Sequence, residues 1–184
     1  MTFETKGYEF IPQFFAPEQM RAYGNFVLRE FPLHLVKVQD PDRGDVCMVW
    51  KPWGAEGFHR EASVRIQEKI GLNLIPTYNY LTTYYTGSYM RMHKDRPSCE
   101  ISMSVNLLSD VDWPLFMEGE PINTKPGDAV LYRGIDVLHW RDPAPQMVRH
   151  MQMFFHWIVD GGEHMEHAYD ILHGMMTDRN DRLI

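Results

Sequence analysis

Only two cysteines, Cys47 and Cys99, occur in 184 residues. That is too few for the disulfide framework of a small secreted scaffold, and their spacing is not that of a zinc finger. No apolar run approaches the roughly 18 residues of a membrane-spanning helix, and the start Met1-Thr2-Phe3-Glu4-Thr5-Lys6 lacks the basic and apolar regions of a secretory leader. Proline and glycine are scattered instead of pooled into a linker, and no repeat of solenoid period stands out. An excess of basic charge is also missing: 18 Lys and Arg against 25 Asp and Glu give a net charge of −7, which disfavours a broad nucleic-acid surface while leaving room for a local basic pocket. What is present, 44% hydrophobic and 13% aromatic residues, excludes disorder and suffices for a core without staples. The expectation is one soluble, cytoplasmic domain with no membrane or nucleic-acid partner: helical and strand support over 1–75, a strand-rich core over 76–160 and a tail over 161–184.

Local patterns fill in that outline. Ala16-Pro17-Glu18 reads as a helix start, followed by Met20, Tyr23, Val27 and Leu28 at helical spacing and stopped by Pro32. A second helix carries Phe58, Ala62, Ile66 and Ile70 four apart, with Glu61 and Arg65 able to pair and Gly71 as cap. It reads as a surface helix, begun by His59, which needs no special role. Residues 33–38 and 46–50 read as strands joined by a turn over 40–44, within a segment, 39–57, that is either a lid or a plain hairpin. After Pro76 come short aromatic or β-branched runs at 77–85, 88–93, 100–107, 129–132, 137–140 and 148–159, bounded by Gly, Pro or Asp. Strands so closely spaced predict an antiparallel sandwich or barrel with the helices on its outer face. Met103, Met151, Phe154 and Phe155 read as core, and the apolar run 47–50 as available to a dimer contact.

Chemistry concentrates in the strand segment. In His93-Lys94-Asp95 the imidazole and carboxylate share one face of an extended chain, although a lone His-x-Asp is as easily a satisfied packing pair. His139, ending a short strand after the turn Pro126-Gly127-Asp128, is the best third donor. Two imidazoles and one carboxylate leave three coordination positions, which suits Fe(II) binding a bidentate co-substrate and oxygen. Arg149 follows ten residues after His139 inside an apolar strand. A guanidinium buried there requires an anion in the pocket; an internal salt bridge or an exposed edge position is the alternative. By alternation Met151, Met153 and Phe155 share its face, while His150 and His156 fall on the opposite one and read as outward or interlayer residues. In the tail, His164, His167 and His173 form a second cluster beside Ala168, Ile171 and Leu172, the makings of a short amphipathic helix.

Taken together, Tyr84-x-x-Gly87, His93-x-Asp95, Pro126-Gly127-Asp128, His139 and Arg149 resemble the Fe(II)/2-oxoglutarate-dependent oxygenase superfamily, nearest its prolyl 4-hydroxylase-like branch. The resemblance implies a mainly β fold with flanking helices, the double-stranded β-helix or jelly-roll barrel. It implies iron held by His93, Asp95 and His139, and 2-oxoglutarate gripped at its far carboxylate by Arg149, with Tyr84 and Ser104 adding hydroxyls. It further implies consumption of O2 with release of succinate and CO2, and hydroxylation of a peptidyl proline, another amino-acid side chain or a small molecule. Arg96, Trp140 and Arg141 flank the ligands as substrate contacts, and Tyr80, Tyr89, Trp50, Trp53 and Trp113 are available for the entrance. Tyr85-Thr86 stands where relatives often carry a proline before the glycine. A cupin-like metal enzyme needing no keto acid, or a silent barrel that only binds, are the alternative classes.

Overall fold

The computed structural model describes residues 2–30, 38–145 and 149–168. In chain order the elements are α1 (Phe3–Lys6), β1 (Tyr8–Ile11), α2 (Pro17–Glu30), β2 (Val38–Asp40), β3 (Gly44–Trp50), α3 (Ala55–Ile70), β4 (Leu74–Tyr85), β5 (Met90–His93), β6 (Ile101–Ser109), β7 (Leu115–Met117), β8 (Glu120–Ile122), β9 (Ala129–Arg133), β10 (His139–Arg141) and β11 (Arg149–Val159). Most of the strand expected at 33–38, with His173, Ile171 and Leu172 of the tail, lies outside the described residues. Among the described residues no helix is long and apolar enough to cross a membrane.

Two antiparallel sheets form the body. The larger runs β1-β9-β6-β11-β4-β3-β2 and the smaller β5-β10-β7-β8. β7 and β8 escaped the sequence reading because each has three residues, too few to display alternation. Their hairpin closes on Glu118 and Gly119, both at positive φ (49° and 88°), the paired left-handed geometry that two-residue hairpin turns need and that glycine supplies without strain. The segment 39–57 is a hairpin of the large sheet, β3 pairing along β4 from Val46↔Tyr84 to Trp50↔Tyr80, and it runs directly into α3. The run 47–50 is therefore built into the sheet and not a free face: Cys47 and Val49 are buried.

The helices cover the outer face of the large sheet. Met20, Tyr23 and Val27 of α2 and Ala62 and Ile66 of α3 share one core with Met103, Val105 and Leu107 of β6 and with Met151, Met153, Phe155 and Trp157 of β11. Such burial is worth about 1.5–3 kcal/mol per large side chain. The Glu61–Arg65 pair forms at 3.2 Å, and Gly71 caps α3 at φ 69°. His59 belongs to the inner face of α3. It lies buried beneath the helix against Phe155 and Trp157, with ring centroids 5.0 and 4.8 Å away, and burial drives its pKa down to about 3. Between the sheets, Val130 and Tyr132 of β9 pack on Met90, Leu115 and Met117.

This layering decides the orientation of β11. The apolar stripe Met151, Met153, Phe155, Trp157 faces the helices, so His150, Gln152, Phe154 and His156 face the interior between the sheets, where all four are buried. Of the two placements open to His150 and His156, outward or interlayer, the interlayer one holds; the error was to assign the apolar half of the strand to the cavity, when helices on the outside claim it.

Candidate metal centre

β5 and β10 are neighbours in the small sheet, and their register places His93 opposite His139. Asp95 follows β5, its backbone N–H donating to the Gly134 carbonyl at 2.8 Å. Asp95 Oδ1 is then 3.5 Å from His93 Nε2 and 3.6 Å from His139 Nε2. Bonds of about 2.1 Å at right angles put neighbouring donors about 3 Å apart, so a small rotamer adjustment closes this group on one ion. The tautomers are fixed from behind. His93 Nδ1 is 2.7 Å from the Arg91 carbonyl and His139 Nδ1 is 3.0 Å from that of Val137; only an N–H satisfies a carbonyl, which leaves both Nε2 lone pairs turned on the carboxylate.

Electrostatics agree with this arrangement. Burial would raise the Asp95 carboxyl, but the neighbouring His93, His139 and His156 side chains outweigh it and hold it well below the usual range. Burial keeps His139 neutral by lowering its pKa against the pull of Asp95. Ser102 Oγ donates to Asp95 Oδ2 at 2.9 Å and lies 2.9 Å from His156 Nδ1. With the single hydroxyl proton on the carboxylate, His156 donates from Nδ1 and its buried Nε2, which has no partner, presents a lone pair. A second group, Asp95, Cys99 and His156, also brings three donor atoms within 4.8 Å of one another. Its thiol is pushed up to about 12 by burial, so it favours the protonated form where the histidine triad is ready.

The triad opens on a pocket of about 190 Å³ walled by Trp50, Tyr78, Tyr80 and His156, with Arg43 and Arg96 at its rim. No family profile and no curated protein matches this chain. Solved structures do. A prolyl-4-hydroxylase from Pseudomonas putida superposes with a TM-score of 0.65 at 19% identity, covering 84% of this chain and 94% of its own. The viral collagen prolyl hydroxylase of Paramecium bursaria Chlorella virus-1, in complex with 2-oxoglutarate, gives 0.67 at 14%, covering 86% and 100%. SnoN, a non-heme α-ketoglutarate-dependent epimerase from nogalamycin biosynthesis, gives 0.69 at 10%, covering 85% and 77%. The fold is that of the 2-oxoglutarate–Fe(II) oxygenases.

Within that oxygenase fold the other residues singled out from sequence divide. Tyr84 is buried in the interior beside Trp113 (5.1 Å), its phenol raised by burial and pulled back by Arg43 and Arg141. Ser104 also faces inward, its Oγ 2.8 Å from the Gln152 side-chain amide. Arg96 lies at the pocket, stacked 5.0 Å over Tyr78 with Nε donating to its hydroxyl at 3.3 Å. Trp50 and Tyr80 line the pocket; Trp53 is 71% exposed and Trp113 buried. Trp140 does not reach the site: one residue out of phase with His139, it stacks on Phe116 at 5.1 Å, consistent with the period of two.

The larger correction concerns Arg149. It is exposed at the start of β11, 3.5 Å from Asp110, with both side chains nearly half accessible. It shares its phase with the helix-facing stripe and is not sunk among apolar neighbours. The tail histidines His164 and His167 flank a single 3₁₀ turn, rings 6.5 Å apart, and join no three-donor group among the described residues.

Sequence reading missed Ser102, His156, Arg43 and Gly134. The available signal was the polar alternation His150, Gln152, His156, which in a strand covered by helices marks the cavity side. Gly134 shows only in three dimensions: a Cβ there would stand 2.1 Å from the Cys99 carbonyl oxygen and 2.6 Å from Asp95 Oδ2.

Proposed function

We propose that the protein is an Fe(II)- and 2-oxoglutarate-dependent oxygenase that oxidises an unactivated C–H bond, with a peptidyl proline or another amino-acid side chain as the leading substrate class. The observation that carries this reading is the convergence of His93 Nε2 and His139 Nε2 on Asp95 Oδ1, at 3.5 and 3.6 Å, with His93 and Asp95 lining an aromatic pocket. A closed structural site would use a fourth protein donor; here three positions stay open to ligands. When bound, iron with 2-oxoglutarate and O2 supplies the oxidising power, with succinate and CO2 released.

The chain's own residues do the rest. His93, Asp95 and His139 hold the metal on one side, and Ser102 keeps Asp95 Oδ2 occupied so that Oδ1 is the ligating oxygen. Trp50, Tyr78 and Tyr80 wall the pocket with rings 5.1–6.2 Å apart, a flat apolar surface suited to a pyrrolidine ring or similar group and able to exclude water from the reaction. The likeness to prolyl hydroxylases supports peptidyl proline; the likeness to SnoN supports a small molecule altered without a retained hydroxyl.

The test is anaerobic addition of Fe(II) and then 2-oxoglutarate, expected to give the weak visible charge-transfer band of a chelated keto acid, followed by a succinate-coupled screen of proline peptides, free amino acids and small metabolites. Mass analysis then separates hydroxylation, a gain of one oxygen, from epimerisation, no change. Metal binding with no band in the presence of keto acid would instead support a cupin-like enzyme.

A further inference from the structure

Arg141 lies on β10 two residues beyond His139, on the same face of the strand, and is 2% exposed. Burial of this kind is expensive for a cation unless a charge answers it. Among the described residues no carboxylate lies within ion-pair distance of Arg141. Its hydrogen bonds go to neutral acceptors: Nη1 donates to the Trp113 carbonyl, and Nη2 is 2.9 Å from the side-chain oxygen of Gln152 once that amide is turned to suit its neighbours. The guanidinium also lies 4.8 Å over the Trp113 ring. Arg43, the other guanidinium near Tyr84, already has Asp40 at 3.6 Å, and Arg149 has Asp110.

On the reading of the protein as a 2-oxoglutarate oxygenase, we propose that Arg141, and not Arg149, receives the far carboxylate of the keto-acid co-substrate, with the Tyr84 hydroxyl beside it. Two residues along a strand advance about 7 Å, and a five-carbon dicarboxylate spans four C–C bonds of about 1.5 Å each. A keto acid chelated at the His139 end is thus long enough to reach the Arg141 level. The β11 side chains at this level are Gln152, in contact with Arg141, and His150, held neutral by burial and by Arg141 itself, so the strand that the sequence pattern points to contributes no cation to the interior here. The planar fork of Arg141 offers a carboxylate two parallel charged bonds in place of its present neutral ones. A keto acid lacking the second carboxylate leaves that cation unanswered, so the site selects dicarboxylates.

The experiment measures 2-oxoglutarate binding to metal-loaded protein under argon, by calorimetry and by the charge-transfer band, with metal titration alone as the check that the triad is intact. Arg141→Gln should bind metal normally and 2-oxoglutarate about 100-fold more weakly, and should lose the preference for 2-oxoglutarate over pyruvate. Arg149→Gln should bind both as wild type does. Arg141→Lys, which keeps the charge and loses the fork, and Tyr84→Phe should each show a partial loss, and they carry the test should Arg141→Gln fail to fold. Wild-type co-substrate affinity in the Arg141 variants, or its loss in Arg149→Gln, overturns the assignment while leaving the oxygenase reading intact. Absence of keto-acid binding to wild-type metal-loaded protein overturns both.

Discussion

Gly134→Ala tests whether the metal centre depends on a close backbone approach that no ligand motif records. The glycine carbonyl accepts the Asp95 N–H at 2.8 Å and its own N–H donates to the Glu100 carbonyl at 3.0 Å, so the two segments are pinned together. An added Cβ would meet the Cys99 carbonyl oxygen at 2.1 Å and Asp95 Oδ2 at 2.6 Å. Ordinary contact needs about 1 Å more, and the first obstacle is backbone, which cannot swing aside as a side chain does. Relief must therefore move the 95–99 turn, and Asp95 with it. The expected result is a loss of stability of about 1–3 kcal/mol, several degrees in Tm for a chain of this size, and metal affinity down at least about 10-fold although every ligand is present. Gly57→Ala is the control: it lies in α3 with nothing within 4 Å of an added Cβ, and should stabilise the helix by up to about 1 kcal/mol with unchanged metal binding. Chemical unfolding and Fe(II) or Mn(II) titration read both quantities. Wild-type metal affinity in Gly134→Ala would refute the reasoning.

Ser102→Ala removes the hydroxyl shared by Asp95 Oδ2 and His156 Nδ1; metal affinity should fall about 10–100-fold, and equal affinity in a titration of the variant would show that Asp95 is held by its backbone alone. Phe155→Ala empties the space between α3 and the large sheet, where the ring is 1% exposed, and should cost about 3–5 kcal/mol in urea unfolding. Stability of the metal-free protein should fall as pH drops below about 6.5. His59 and His156, at about 3 and 4, and His150, well below its ordinary value, are all depressed chiefly by burial. Over that range the unfolded chain binds protons that the folded chain refuses, each group contributing a slope of up to about 1.4 kcal/mol per pH unit. A Tm flat between pH 6.5 and 4.5 would contradict it.

His93 and Asp95 were legible together because the period of a strand puts them on one face, and His139 because it ends a short strand after the Pro126-Gly127-Asp128 turn at the place the family resemblance assigns to the distal donor. The two helices were legible from spacing and caps; that His59 joins the buried stripe was not, because a histidine does not by itself mark an apolar face. β7 and β8 were not legible: three residues cannot express a period, and the hairpin between them is fixed by two left-handed residues instead of by hydrophobicity.

Sequence by itself determined which side chains travel together. Arg149 goes with Met151, Met153 and Phe155, His150 with Gln152 and His156, and His139 with Arg141. Which of two faces looks into the barrel is a different quantity, because alternation is symmetric under exchange of the faces and only a neighbour breaks the tie. Here the neighbours are α2 and α3, whose apolar stripes claim the methionine face of β11. That packing, and not any property of the strand, sends Arg149 out to Asp110 and leaves Arg141 as the buried cation two residues beyond a metal ligand.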